Sequence, residues 1–264
     1  MNLLVRWFHV FAGIMWVGQT YYFTWLDGQL RRLEKAAAGD AKESRLWMVH
    51  SGGFYTVEKQ TKLGVAPELL HWFRWEAAFT WLSGMILLVL VYYMGGALLD
   101  PDVANISLAR GGLIGLGVIA GGWLVYDLAV RSAIGKSELV FAVFSIVVLA
   151  LLAWALSRVF SGRAVYIHVG ALMGTIMAAN VWSRILPAQR KMIAAAATGA
   201  KFDTALGARA KLRTKHNTYM AVPVVLIMVS NHFPSATYGN SYGWEMLVAL
   251  ILAGWVAARI IRGA

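Results

Sequence analysis

The sequence contains no cysteine among its 264 residues. Thiolates hold iron–sulfur clusters and many zinc ions, and thioether bonds attach c-type haem. These sites are therefore excluded together with disulfide bonds, and so is a covalently attached haem. A metal ion or haem bound by this chain must depend mainly on histidine, of which there are six.

Charged residues are also scarce, at 14% of the chain, whereas hydrophobic residues make up 59%. This composition predicts an integral membrane protein in contact with lipid. The formal net charge is +11, but the basic residues fall in short segments between apolar runs instead of covering one soluble face. We therefore expect no nucleic-acid partner.

Seven apolar runs are long enough to cross a hydrocarbon layer about 30 Å thick. They lie near residues 3–25, 71–94, 108–130, 139–158, 164–186, 216–232 and 243–261. The sequence thus predicts an all-α integral membrane protein, with a bundle of about seven transmembrane helices in a single polytopic domain over residues 1–264.

The segments between these runs differ in charge. Segments 26–70 and 187–215 are rich in lysine and arginine, whereas 95–107 has only acidic charges and 231–242 has none. Basic segments are retained on the cytoplasmic side. This predicts a cytoplasmic loop at 26–70, a cytoplasmic basic linker at 187–215, an outside N-terminus and an inside C-terminus. Residues 191–215 of that linker are expected to form a basic helix on the membrane surface.

The third run, "GGLIGLGVIAGGWLVYDLAV", contains six glycines. Small residues at such spacings allow the backbones of neighbouring helices to approach closely in lipid, so we interpret the glycines as packing positions. Asp127 and Arg131 lie one helical turn apart near the end of this run and are predicted to form an ion pair.

The six histidines are predicted to occupy two levels of the membrane. The outer level holds His9, His168 and His232, and the inner level holds His50, His71 and His216. His9 and His168 share an aromatic-x-His-Val pattern, which is the trace of a weak internal repeat. Haem with two histidine ligands needs imidazoles at one depth, which favours His9 with His168 as ligands. The alternative is that these histidines merely sit at the headgroup level.

Two further features are candidates for chemistry at the inner side. Glu76 lies more than one turn inside the second run, where a carboxylate is costly. It is predicted either to accept a proton or to pair with Arg74 or a histidine. The segment "WMVHSGGFYTVEKQTKLGVAPELL" offers cations and aromatic rings to a flat anion, or forms an ordinary basic surface loop.

Three long motifs together resemble a known family. The stretches "HSGGFYTVEK", "LHWFRWEAAFTWLSG" and "HNTYMAVPVVLIMVSNHFP" are similar to the membrane domain of the bacterial cytochrome-c-linked urate hydroxylase (urate oxidase) family. The resemblance implies oxidation of urate to 5-hydroxyisourate in the bacterial inner membrane, with electrons passed to a c-type cytochrome. Because the chain stops at Ala264 before any cytochrome domain, a c-type cytochrome or respiratory complex in trans is the expected acceptor.

The resemblance also implies roles for individual residues. Glu76, His50 and Lys59 are the expected catalytic residues, with His71 as another proton acceptor; Lys62, Tyr55 and Asn217 are expected to bind urate. One or two haem b groups would be held by His71 with His216 and by His9 with His168, and His232 is a further candidate ligand. The short similarity of "FHVFAGIMWVG" to copper-resistance and protoporphyrinogen oxidase proteins also favours haem.

Two other functions remain open from the sequence. One is a non-catalytic haem b subunit for electron transfer or assembly in a respiratory complex. The other is a membrane protein that handles copper or haem, using histidines and some of the 11 methionines.

Overall fold

The structure is a computed structural model that describes residues 1–36, 45–59, 70–198, 200 and 203–263. The predicted substrate residue Lys62 lies outside the described residues. Eight α-helices and one β-hairpin make up the regular structure of the described part. They are α1 Asn2–Ala36, β1 Arg45–His50, β2 Gly53–Glu58, α2 Trp75–Leu88, α3 Leu108–Arg131, α4 Glu138–Ser157, α5 Gly162–Asn180, α6 Leu186–Ala197, α7 Thr204–Ser230 and α8 Gly243–Gly263.

Two short π-helical segments extend the regular helices. One, Val89–Tyr93, continues α2, and the other, Val181–Ile185, joins α5 to α6 in one continuous helix. Five helices are long and apolar enough to cross a membrane: α2 with its extension, α3, α4, α5 with α6, and α8. The predicted crossings by α1 and α7 remain predictions, as does the orientation of the bundle.

The helices run alternately up and down, so the bundle has two ends. At one end, which we call the hairpin end, the β-hairpin contacts α1, and Arg32 near the end of α1 donates to the carbonyl oxygen of Gly263 at the end of α8. The opposite end, which we call the cavity end, carries the α2–α3, α4–α5 and α7–α8 links. There Ser161 hydrogen-bonds through its backbone N–H to Leu98 and through its hydroxyl to Ala97.

The β-hairpin departs from the all-α prediction. It falls within segment 26–70, after α1 has continued as far as Ala36. Its two-residue turn has positive φ angles at Ser51 and Gly52, as a tight hairpin turn requires. The side chain of Met48 accepts a hydrogen bond from the hydroxyl of Tyr22, which attaches the hairpin to α1.

Helix α5 forms the centre of the bundle. Most of its residues are buried, including His168 and Asn180, whereas α4 exposes a continuous apolar surface. Glycines on α3 permit α3 and α5 to approach closely: a Cβ atom on Gly122 would lie 2.5 Å from Leu172. The predicted packing role is therefore confirmed for Gly111, Gly115 and Gly122, whereas a Cβ atom on the other three glycines of this run would meet nothing within 4 Å.

The basic linker 187–215 does not form a separate surface helix. Its first part belongs to α6, and its second part is the beginning of α7, which continues without a break to Ser230. The surface-helix prediction for this part is therefore wrong. Buried contacts account for the difference, because Arg213 and Asn217 project into the bundle instead of facing solvent.

Candidate functional site

A buried charged cluster joins α3, the α5–α6 helix and α7 near the hairpin end. Its centre is Asp127, whose side chain is only 6% exposed. Asp127 accepts hydrogen bonds from Arg184 at 2.9 and 2.5 Å and from Arg213 at 2.7 Å. The predicted partner Arg131 is present at 3.5 Å but is 65% exposed, so it contributes least.

Hydrogen bonds extend this cluster through two asparagines. Arg213 can only donate, so the side-chain oxygen of Asn180 must face it, at 3.3 Å. The amide nitrogen of Asn180 then donates to the hydroxyl of Tyr126 and to the side-chain oxygen of Asn217, each at 2.9 Å. Asn217 in turn donates to the carbonyl oxygen of Met177. Each of these buried side chains thus has a partner of the correct polarity.

The cluster ends at His216. Its Nδ1 atom lies 2.9 Å from the hydroxyl of Tyr126, which already accepts a hydrogen bond from Asn180. The phenolic O–H can donate to Nδ1 when the imidazole proton is on Nε2. Phe141 stacks on the ring at 4.7 Å. A tyrosine hydroxyl aimed at a histidine nitrogen can transfer a proton over a short distance.

We call Asp127, Arg184, Arg213, Asn180, Asn217, Tyr126 and His216 the buried polar network. Two arginines surround one aspartate, so the network has an excess of positive charge. The guanidinium of Arg213 also lies over the Tyr126 ring, at 5.0 Å. Tyr126 is thus held between a cation on its ring face and two polar partners at its hydroxyl.

His9 has the geometry of a metal-ligating histidine. Its Nδ1 lies 3.0 Å from the carbonyl oxygen of Thr80 and 3.0 Å from the hydroxyl of Ser83. A carbonyl only accepts, so Nδ1 carries the proton and the lone pair of Nε2 faces away. Gly84 lies beside the ring, where a Cβ atom would come within 3.0 Å of it.

The imidazole of His168, like that of His9, carries its proton on Nδ1, but the two rings have different surroundings. Its Nδ1 donates to the carbonyl oxygen of Ala164 at 2.7 Å, and its Nε2 lies 3.1 Å from the hydroxyl of Tyr93. The side chain is fully buried, and a Cβ atom on Gly115 would lie 2.6 Å from Nε2.

The contacts on α2 separate His9 from His168. His9 lies against Thr80 and Ser83, whereas His168 lies against Tyr92 and Tyr93, about ten residues further along. At 1.5 Å per residue this is roughly 15 Å along the helix axis. The expectation that these two imidazoles share one depth is wrong.

The two histidines also fit a haem group unequally. His9, with Nδ1 fixed by the carbonyl oxygen of Thr80, could hold a haem iron through Nε2. His168 would first have to release Tyr93. Among the described residues, no cluster of three or more histidines and carboxylates has the arrangement of a metal site.

The predicted inner-side residues do not converge on one point. His50 and Tyr55 are exposed on the hairpin, and the exposed ring of His71 contacts Phe73 at 4.5 Å. His216 instead contacts Tyr126 and Phe141, so the structure does not bring it together with His71. The predicted outer residue His232 is exposed just after α7.

Lys59 and Glu76 have distinct surroundings. Lys59 forms an ion pair with Asp27. Burial raises the pKa of Asp27, but the hydrogen bond from Lys59 and the nearby charges of Lys59, Lys211 and Arg31 outweigh it and lower the pKa overall. In Glu76 one carboxylate oxygen is buried without a hydrogen-bond partner. A buried polar atom without a partner is costly, so this carboxylate marks a site of interest, and its role as a proton acceptor stays a prediction.

Most of the buried polar network was missed by sequence reasoning. Asn217 was predicted as a substrate residue and His216 as a ligand, but Arg184, Arg213, Asn180 and Tyr126 were not selected. The available signal was the presence of arginine and asparagine inside or next to apolar runs, where polar side chains need partners. Their common partner, Asp127, became evident only from the packing of three helices.

The long apolar helices indicate a membrane protein, and the buried polar network lies inside its bundle. The chain belongs to the urate oxidase N-terminal family, whose family model matches residues 1–262. Membership indicates a urate-related function and an oxidoreductase. No curated protein and no solved structure matched the chain.

Proposed function

We propose that the protein is a membrane-bound urate hydroxylase that oxidises urate to 5-hydroxyisourate and passes the electrons to a separate c-type cytochrome or another respiratory component. The observation that carries this proposal is the family match over residues 1–262. The proposed location is the bacterial inner membrane.

The reaction is balanced without molecular oxygen. Urate and one water give 5-hydroxyisourate, two protons and two electrons. Water supplies the new oxygen at C5, and the two electrons reduce two ferric cytochromes c by one electron each. The protein must therefore accept two protons and divide an electron pair into single electrons.

The described residues supply groups for both tasks. The partnerless carboxylate oxygen of Glu76 can accept one proton, and the Tyr126–His216 pair can accept a second, which binds the Tyr126 oxygen as that hydroxyl passes its own proton to Nδ1 of His216. His9 would hold a haem b through Nε2, and such a group would supply one-electron redox chemistry. The other predicted roles, of His50, His71, Lys59 and Tyr55, stay proposals.

The test uses the purified full-length chain in detergent or nanodiscs. Urate with ferricytochrome c should give reduced cytochrome and loss of urate absorbance in a ratio of two to one. Glu76→Gln should lower kcat, whereas Glu245→Gln, at an exposed glutamate in the first turn of α8, should not. Loss of urate without reduction of any acceptor would contradict the proposed electron path.

A second candidate function is a haem b subunit that transfers electrons without acting on urate. It is favoured by the ligand-ready His9 together with the dispersal of the predicted substrate residues. An absorption spectrum and metal analysis of the purified protein separate the two. Haem that is lost in His9→Ala but is not reduced by urate would support this second function, and bound copper would instead support a copper carrier.

A further inference from the structure

A cavity of about 370 Å³ opens at the cavity end of the bundle. It lies between the α2–α3 link, the end of α4, the first turns of α5 and the α7–α8 link. Ligand pockets usually measure about 300–1,000 Å³, so this volume suits a small ring compound. None of the residues predicted as functional from the sequence lines it.

The walls of the cavity are held in place by specific contacts. The hydroxyl of Tyr166 donates to the carbonyl oxygen of Gly243 at 2.8 Å, and its ring meets Tyr238 edge to face at 5.7 Å. A Cβ atom on Gly162 would lie 2.6 Å from the carbonyl oxygen of Tyr238. Glycine at position 162 therefore allows the α7–α8 link to close against α5, and the cavity is preformed.

The cavity combines aromatic walls with charges of both signs. Tyr166, Tyr238 and Trp244 supply aromatic surface. Arg158 is exposed and lies over the ring of Trp154; it has no ion-pair partner among the described residues. Asp100 accepts the backbone N–H of Asp102 with Oδ1. The guanidinium donors of Arg158 and the second oxygen of Asp100 are therefore available to a ligand.

We infer that this cavity is a binding site for a planar anion of the purine class, such as urate, at the end of the bundle opposite Glu76, and this inference rests on the function proposed above. Oxidised purines have flat faces for stacking, carbonyl oxygens and negative charge for an arginine, and ring N–H groups for a carboxylate. The cavity offers a partner for each of these features. A purely hydrophobic ligand would leave Arg158 and Asp100 unused.

The position of the cavity also connects it with the buried His168–Tyr93 pair. Phe160 lines the cavity, is fully buried, and lies 4.8 Å from the ring of His168. His168 in turn contacts the hydroxyl of Tyr93. A ring bound in the cavity is thus separated from the His168–Tyr93 pair by one aromatic side chain.

The absence of native cysteine permits a direct test of occupancy. Ser241 lines the cavity and is exposed, so Ser241→Cys introduces a single thiol at the site. Urate at saturating concentration should slow its reaction with a maleimide. Ser235→Cys, at an exposed position of the same link but outside the cavity, should react at the same rate with and without urate.

A pair of charge variants tests the chemistry of binding. Arg158→Gln, in the Ser241→Cys background, should raise the urate concentration that gives half-maximal protection by about tenfold or more. This is the change expected for loss of one charge-assisted hydrogen bond. Arg110→Gln removes an exposed positive charge from the first turn of α3 without changing the cavity lining, and should leave protection unchanged. Equal effects of the two variants would overturn the inference in favour of general electrostatic attraction.

The outcome separates this inference from the proposed function. If the wild-type protein oxidises urate but urate does not protect Ser241→Cys, the cavity assignment is overturned and the function stands. If urate protects the thiol and Arg158→Gln weakens protection, the assignment is supported. Absence of urate oxidation in that case would remove only the catalytic part of the proposal.

Discussion

The two ends of the bundle use charge in opposite ways. Near the hairpin end, Arg213 is buried and donates to the carboxylate of Asp127 and to the side-chain oxygen of Asn180. At the cavity end, Arg158 is exposed beside a cavity and has no ion-pair partner among the described residues. Fully partnered charges mainly fix the arrangement of helices, whereas an unpartnered charge beside a cavity can bind a ligand.

The largest effect should come from removing the centre of the buried polar network. Asp127→Ala leaves Arg213 buried without its counter-charge, which typically costs about 3–5 kcal/mol of folding free energy. We expect a large loss of thermal stability in detergent. Arg158→Gln should leave stability within about 0.5 kcal/mol because its side chain is exposed.

This pair of variants tests the comparison directly. Unfolding is followed by circular dichroism and by urea titration, with Arg131→Gln as a second control. Arg131 also contacts Asp127 but is largely exposed, so its removal should cost no more than about 1 kcal/mol. Equal destabilisation by Asp127→Ala and Arg158→Gln would show that the two ends do not differ in this way.

Tyr126→Phe should have the next largest effect. The change removes one hydroxyl that accepts from Asn180 and faces Nδ1 of His216, leaving buried polar atoms without partners. The expected cost is about 1–3 kcal/mol. Urate turnover should fall by more than this loss of folded protein explains, since the proton path from Tyr126 to His216 is removed.

The control for Tyr126→Phe is Tyr242→Phe. Tyr242 is exposed in the α7–α8 link, and its ring hydroxyl is outside the buried polar network. Its replacement should change neither stability nor turnover. If Tyr126→Phe lowers stability but leaves kcat per folded molecule unchanged, the network is structural only.

Gly115→Ala tests the packing around His168. The added methyl group would lie 2.6 Å from both His168 Nε2 and the hydroxyl of Tyr93, closer than atoms can approach. We expect a loss of about 1–3 kcal/mol, measured as a lower thermal midpoint. Gly117→Ala is the matched control in the same helix, because a Cβ atom there meets nothing within 4 Å. A stable Gly115→Ala protein would indicate that this site is less tightly packed.

The sequence was sufficient to predict most helices because their apolar runs are long and carry few charges. The hairpin was missed although its signal was present: Leu46 and Met48 alternate with the exposed Trp47 and Val49, and the Ser51–Gly52 turn follows. Both six-residue strands lie within segment 26–70, for which the basic charge had predicted only a cytoplasmic loop.

The candidate site was harder to predict because it depends on contacts between distant helices. Asp127 and Arg131 could be paired from their spacing within one helix. Arg213 is 86 residues from Asp127, and its charge was assigned to a cytoplasmic linker. The depth of a histidine in the bundle also does not follow from its local sequence pattern. His9 and His168 have similar patterns but contact different parts of α2.

The smallest predicted effect concerns the surface ion pair of Asp27 with Lys59. The pKa of Asp27 is lowered in the folded protein, so this carboxylate contributes stability above its unfolded pKa of about 3.9 and loses it as pH falls through the folded value. Asp27→Asn should therefore lower the thermal midpoint slightly at neutral pH, by the equivalent of at most about 1 kcal/mol. The difference from wild type should disappear in acid.

Added salt should also reduce the difference at neutral pH, because both partners are partly exposed. A difference that persists below the folded pKa would show that Asp27 stabilises the protein through packing and not through its charge.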